Sequence, residues 1–259
     1  MPEGLEAEIW RRELLAVVGR RIERAWVDTR VAPRETPDLM AGRTIVDVVR
    51  RGKVVVLELD DVDVGLHLGM TGRIVTDGES VIDQLEYASA ADRPEWDRLR
   101  VETTGRAEGS PPAIRVNDPR RLGRISIDPD LERLGPDVLD ITSDTLARRL
   151  ATRRRAIKAT LLDQAVLAGL GNLLADEVLF WAGLDPRRGT GDLGGDEVLR
   201  LASAIRRRLP IMLRRGGSTT GTLDPDIRRS LGPCPRDGAA LRRATVGGRT
   251  TVWCSEHQT

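Results

Sequence analysis

Proline at position 2 and glutamate at position 3 put a secondary amine at the N-terminus once the start methionine is removed, with a carboxyl beside it. Such an amine can attack a sugar C1′ and give a cationic Schiff base, and it holds its proton about 2.5 pKa units less tightly than a lysine. The same two residues also serve as an ordinary helix start. Proline has no N–H to leave unpaired, and a carboxylate suits the positive helix end. Glu6, one turn further on, either tunes this acidic site or is a simple first-turn acid.

Among 41 basic residues only Lys53 and Lys158 are lysine. A lysine offers a compact amine that can lose and return a proton, which arginine cannot, so both are candidates for chemistry or close phosphate contact. The only cysteines, Cys234 and Cys254, share the tail with His257, one of 2 histidines. Cys234-x-x-Asp237, sixteen intervening residues and Cys254-x-x-His257 have the frame of a two-knuckle zinc ribbon, so one structural Zn2+ is expected on Cys234, Asp237, Cys254 and His257. The competing readings are a hairpin without metal and a Cys234–Cys254 disulfide. Between the knuckles, Gly247 and Gly248 form a turn that presents Arg249 in a manner suited to a phosphate.

These residues need elements to hold them. Near-helical spacing of Leu5, Ile9, Leu14, Leu15 and Val18 predicts a helix over residues 3–18. Short Val- and Ile-rich segments at 21–28, 44–49, 53–59, 63–67, 72–76, 98–103 and 113–116 predict strands of a two-layer β-sandwich. Beyond Asp128 helical patterns take over at 143–151, 157–167, 172–182 and 196–215, with 189–195 reading as a flexible loop. A chain of 259 residues accommodates two domains, and the boundary is placed near 130–136. The net charge is only +1, but arginine clusters recur along the chain, as at Arg120, Arg121 and Arg124. Together they read as a phosphate-tracking surface or as solvated helix faces. No leader and no apolar run of about 18 residues is present, so a cytosolic protein without membrane association is expected.

Seven motifs occur in order: Met1-Pro2-Glu3-Gly4; Arg51-Gly52-Lys53; His67 to Gly72; Asn117 to Gly123; Ile157-Lys158; Gly169 to Glu177; and Gly248-Arg249. In this the chain resembles the formamidopyrimidine-DNA glycosylase and endonuclease VIII family of base-excision repair enzymes over essentially its whole length. The resemblance implies an α+β protein. An N-terminal helix and β-sandwich domain (1–132) would precede a helix-two-turn-helix domain (133–225) and a zinc-finger hairpin (226–259). It implies that Pro2 is the nucleophile, Glu3 the general acid, Lys53 the proton-transfer lysine of β-elimination and Arg249 the finger arginine associated with δ-elimination. Asn172 would hold the lesion phosphates, and Lys158 would add a supporting DNA contact. Met70 and Arg120 would fill the gap left by a flipped base, with Leu122 beside them. Read without the family, Met70 is a core residue and Arg120 a surface ion-pair partner. His67, beside this loop, is expected to be a packing residue.

The implied function is a bifunctional glycosylase and abasic-site lyase acting on oxidised or ring-opened bases in double-stranded DNA. It would act as a monomer, associated with the nucleoid if the source is bacterial. The alternatives are a damaged-DNA binding protein of the same fold that no longer cuts, and a zinc-stabilised protein-interaction module. Leu5 stands where the family commonly has proline, and Leu122 where an aromatic wedge is common. The segment between Gly216 and Cys234 is shorter than in relatives that cap an oxidised purine there.

Overall fold

The computed structural model describes residues 2–82, 85–88, 90–105, 107 and 109–259. Met1, on whose removal the amine chemistry depends, lies outside the described residues. The chain packs as two compact units, one of Pro2 with Glu6–Leu131 and one of Glu3–Leu5 with Glu132–Thr259.

Helix α1 (Gly4–Leu14) is shorter than the spacing predicts, because the chain tightens into a 3-10 turn at Leu15–Val17. Trp10 and Leu14 are fully buried, while Leu15, which opens the tightened turn, and Val18 just past it are exposed. The strands of the first unit are β1 (Ile22–Val27), β2 (Ile45–Arg51), β3 (Val54–Leu59), β4 (Asp63–His67), β5 (Arg73–Thr76), β6 (Asp97–Thr103), β7 (Ile114–Asn117) and β8 (Arg124–Ile127). A short helix α2 (Thr36–Met40) precedes β2. They form two four-stranded antiparallel sheets, ordered β1-β6-β7-β5 and β2-β3-β4-β8. One apolar core draws on both sheets, with Ile22, Ile45, Leu57, Leu66, Leu99 and Ile114 buried in it. β8 escaped the sequence reading: it is four residues long, and only Ile125 among them is buried.

The second unit holds α3 (Ser143–Ala151), α4 (Ile157–Leu161), α5 (Asn172–Ala182), α6 (Gly195–Arg215) and α7 (Pro225–Ser230). It ends in a hairpin of β9 (Leu241–Val246) and β10 (Arg249–Cys254). Thr142 and Asp224 cap α3 and α7 by accepting hydrogen bonds from first-turn N–H groups. The helix expected over 157–167 stops at Leu161. Asp163 accepts from Ala165 N–H, while Gln164 bonds the Leu162 and Leu170 carbonyls and the Gly169 N–H, so side chains take over the backbone and turn it twice before α5. The segment 189–195 contains a 3-10 turn, Thr190–Asp192, with Thr190 buried. The α+β class expected from sequence is the class observed.

Candidate active site and metal centre

Glu3 is almost completely buried, and its carboxylate sits on the first turn of α5. Oε2 accepts from Gly171 N–H at 2.7 Å and Leu174 N–H at 3.1 Å, and Oε1 accepts from Leu173 N–H at 2.8 Å. A helix start offers unpaired N–H groups and the positive end of the dipole, so it is a ready anion cradle. Two glycines make room for it. A Cβ on Gly171 would lie 2.4 Å from Glu3 Cδ, and Gly169, at φ +110°, presents its carbonyl to Gly4 N–H at 2.8 Å. Pro2, the residue before Glu3, is also buried.

Asn172 opens α5 and is half-buried, and its Oδ1 makes no hydrogen bond among the described residues. Lys158, expected to support a DNA contact, is instead fully buried. Its Nζ lies 2.7 Å from Asp176 Oδ1 and donates to Thr251 Oγ1 at 2.8 Å and Thr250 O at 3.1 Å. Burial pushes this amine below the usual lysine range, against the opposing pull of Asp176. Arg249 is exposed at the start of β10, behind a two-residue turn in which Gly247 and Gly248 both have positive φ.

In the first unit, Lys53 is half-buried in the tight turn between β2 and β3, where Gly52 has φ +59°. Arg50 braces that turn, donating to Gly52 O at 2.8 Å and to Glu8 Oε2 on α1 at 3.2 Å. Glu6 is buried, three residues beyond Glu3. Met70, Arg120 and Leu122 occupy two loops brought together by Asp118, itself fully buried. Its carboxylate accepts from the N–H groups of Arg120, Leu122 and Gly123 and from the Thr71 hydroxyl. Gly69 lies so close that a Cβ there would be 2.3 Å from the Leu122 carbonyl. Met70 is half-buried, while Arg120 and Leu122 are exposed. His67, expected to pack, is exposed at the end of β4 and accepts from Gly69 N–H at 3.3 Å. Beside these loops lies a pocket of about 570 Å³ lined by Arg30, Arg121, Leu122 and Arg124.

At the tail, one donor atom from each of Cys234, Asp237, Cys254 and His257 lies within 4.8 Å of the others. Both cysteines are free, so the disulfide reading falls. A tetrahedral zinc site with bonds of about 2.0–2.3 Å puts its ligand atoms about 3.3–3.8 Å apart. Cys234 Sγ to His257 Nδ1 is 3.7 Å and Cys254 Sγ to Asp237 Oδ2 is 3.4 Å, both within that range. His257 Nδ1 and Asp237 Oδ2, 2.8 Å apart, would have to open slightly around an ion. The four residues therefore form a cluster able to hold a metal ion.

Sequence reasoning missed Asp118, Asp176, Arg228 and the role of Gly171. A signal for Asp176 existed: Asp176 and Glu177 are two acids in the middle of an otherwise apolar helix, and acids almost never bury there without partners.

Comparison with known proteins agrees along the whole chain. Residues 1–125 match the family model of the formamidopyrimidine-DNA glycosylase N-terminal domain, and residues 134–224 that of the formamidopyrimidine-DNA glycosylase H2TH domain. The formamidopyrimidine-DNA glycosylase of Stenotrophomonas maltophilia K279a is 32% identical over 277 residues, covering 98% of this chain and 95% of the relative. That of Rhodopseudomonas palustris CGA009 is 36% identical over 301 residues, covering 100% of both. Among solved structures, a complex between the Lactococcus lactis Fpg and an abasic site containing DNA superposes with TM-score 0.80 at 26% identity over 99% of each chain. The MutM (Fpg) protein from Thermus thermophilus superposes with TM-score 0.79 at 30% identity, over 99% of this chain and 98% of that one.

Proposed function

The chain belongs to the formamidopyrimidine-DNA glycosylase family, and from that membership we propose that it removes oxidised or ring-opened bases from double-stranded DNA and then cleaves the abasic site. The observation that carries this reading is the Glu3 carboxylate, fixed by three N–H groups at the start of α5 and joined by one peptide bond to Pro2.

In the proposed reaction the Pro2 nitrogen attacks C1′ and the C1′–N bond to the base breaks, the base leaving with the proton that the Pro2 nitrogen sheds on attack. The sugar ring opens as O4′ takes a proton from Glu3, and a cationic Schiff base remains on Pro2. Loss of a C2′ proton, shuttled by Lys53, breaks the C3′–O3′ bond; loss of a C4′ proton then breaks C5′–O5′, with Arg249 holding the departing phosphate. Water releases Pro2. Asn172 supplies an amide at the lesion phosphates, reinforced by the α5 N-terminus. Met70 and Arg120, with Leu122, fill the gap left by the flipped nucleotide. Zn2+ on Cys234, Asp237, Cys254 and His257, one per chain, would supply hairpin stability and no chemistry. The protein would work as a monomer on DNA in the cytoplasm; among the described residues no helix is long and apolar enough to cross a membrane.

Borohydride trapping tests the reading. Intact mass should first establish that Met1 is removed, since a retained methionine acylates the Pro2 nitrogen. The processed protein should then form a covalent adduct with abasic and lesion-containing duplexes, and Pro2→Gly should lower its yield. Binding without an adduct on any lesion would sink the enzymatic reading and leave a damaged-DNA binding protein.

A further inference from the structure

Buried beneath the Arg249 turn is an ionic network that the proposed chemistry does not use. Asp176, one turn into α5, takes Lys158 from α4 at 2.7 Å and Arg228 from α7 at 2.6 Å, and all three side chains are buried. Among the described residues the remaining side-chain hydrogen bonds of this trio end on β10. Asp176 Oδ2 accepts from Val252 N–H at 3.1 Å. The Thr250 carbonyl accepts from Lys158 Nζ at 3.1 Å and from Arg228 Nη2 at 3.3 Å. Thr251 Oγ1 accepts from Lys158 Nζ at 2.8 Å and donates to the Arg249 carbonyl at 3.0 Å. Four consecutive residues are thus wired to one carboxylate and its two cations: Thr250 and Val252 through their backbone, Thr251 through its hydroxyl, and the Arg249 carbonyl through that hydroxyl. On the other side of the turn, Gly247 packs so closely on α4 that a Cβ would lie 2.8 Å from Ala159 Cβ.

The helix that carries Asp176 also carries the Glu3 cradle, one turn earlier at Gly171 to Leu174. A rigid helical turn therefore fixes the distance between the carboxylate at the start of α5 and the hairpin that presents Arg249. We propose that Asp176, with Lys158, Arg228 and Thr251, is a positioning network that sets Arg249 for the second elimination step while leaving Schiff-base formation at Pro2 unaffected. The inference rests on the reading of Arg249 as the δ-elimination arginine. A buried ion pair contributes little net stability compared with an apolar replacement, so its retention here is explained better by geometry than by folding free energy.

The test uses the full-length, zinc-loaded protein and abasic duplex DNA, comparing Asp176→Asn, Thr251→Val and Arg249→Ala with the parent. The readouts are zinc content, hydrogen exchange across 247–252, borohydride trapping yield and the ratio of δ- to β-elimination product. The expected result is unchanged zinc and trapping, faster exchange at the turn, and a δ/β ratio that falls roughly tenfold or more toward that of Arg249→Ala. Thr251→Val is isosteric and removes only the hydroxyl that joins Lys158 to the Arg249 carbonyl, so it decides the matter if Asp176→Asn does not fold. If Arg249→Ala loses the δ product while both network variants keep it, the positioning role is overturned and the reading of Arg249 stands. If Arg249→Ala itself keeps the δ product, that reading falls and takes the inference with it.

Discussion

Two buried aspartates, Asp118 and Asp176, hold the turns that carry Arg120 and Arg249, and they do so by different means. The Asp118 carboxylate, under the Arg120 loop, accepts among the described residues only from neutral donors: three N–H groups within five residues of itself and the Thr71 hydroxyl. Asp176, under the Arg249 turn, is paired with two cations and reaches elements 18, 52 and 76 residues away in sequence. The first arrangement folds a loop around a carboxylate. The second docks a hairpin onto a helix and leaves two buried cations dependent on one anion. Local shape thus rests on hydrogen bonds that can be lost singly, whereas long-range docking rests on charges that cannot be unpaired separately.

Metal removal should break the comparison most severely, because the hairpin is held at its base by the Cys/Asp/Cys/His cluster and near its turn by Asp176. Structural zinc in isolated finger peptides is worth about 10–16 kcal/mol of apparent binding free energy, and an oxygen ligand in place of a thiolate should lower that figure here. A strong chelator should release one zinc per chain and expose residues 232–259 to hydrogen exchange while the sandwich keeps its protection. Protection of β9 and β10 that survives chelation would mean that Asp176 docking suffices alone.

Asp176→Asn comes next. It leaves Lys158 and Arg228 buried beside a neutral amide, and breaking a buried pair this way costs about 3–5 kcal/mol. Urea denaturation should read this as a fall in midpoint. Asp118→Asn strands no charge, but its amide turns N–H groups toward the N–H donors of Leu122 and Gly123 or toward Thr71. The loss should be about 2–3 kcal/mol, with faster exchange confined to 118–123 and the 69–72 loop. Equal costs for the two substitutions would erase the distinction between them.

The two hubs also differ in how far sequence discloses them. Asp118 lies inside a short motif rich in turn residues, and three of its four donors are close neighbours, so its loop was legible as a unit although its role as hub, and its reach to Thr71, were not. The strands over 53–59 and 63–67 were legible for a similar reason: apolar runs bounded by Asp60 and Asp61 mark a hairpin. Lys158 shows the opposite case. Its rarity marked it for chemistry, yet it is buried against Asp176, and nothing local to residue 158 could show that β10 would fold over it. The Glu3 cradle was half legible. The helix start at Asn172 could be read, but the fact that Gly171 is small in order to admit a carboxylate from residue 3 is a contact across 168 residues. The overlong helix at 157–167 failed because Leu161, Val166 and Leu167 keep a helical apolar rhythm while Asp163 and Gln164 redirect the backbone between them.

Glu8 offers the smallest effect and a control for burial. Although partial burial opposes ionisation, hydrogen bonds from Arg11, Arg12 and Arg50 hold its carboxyl down at about 2. Like Asp176 it is a buried anion serving more than one cation, but Arg11 and Arg12 keep 24% and 57% of their side-chain surface exposed, so solvent screens those two pairs while the Arg50 pair stays buried. Glu8→Gln should cost on the order of 1 kcal/mol at neutral pH. The folded-state pKa lies below the ordinary 4.5, so this contribution is fully present above about pH 4.5 and is lost as pH falls toward 2. The gap in stability between parent and variant should therefore be constant from pH 7 down to 5 and narrow steadily below it. A cost as large as that of Asp176→Asn, or one that persists unchanged at pH 3, would show that the exposure of the arginine partners is not what separates the two carboxylates.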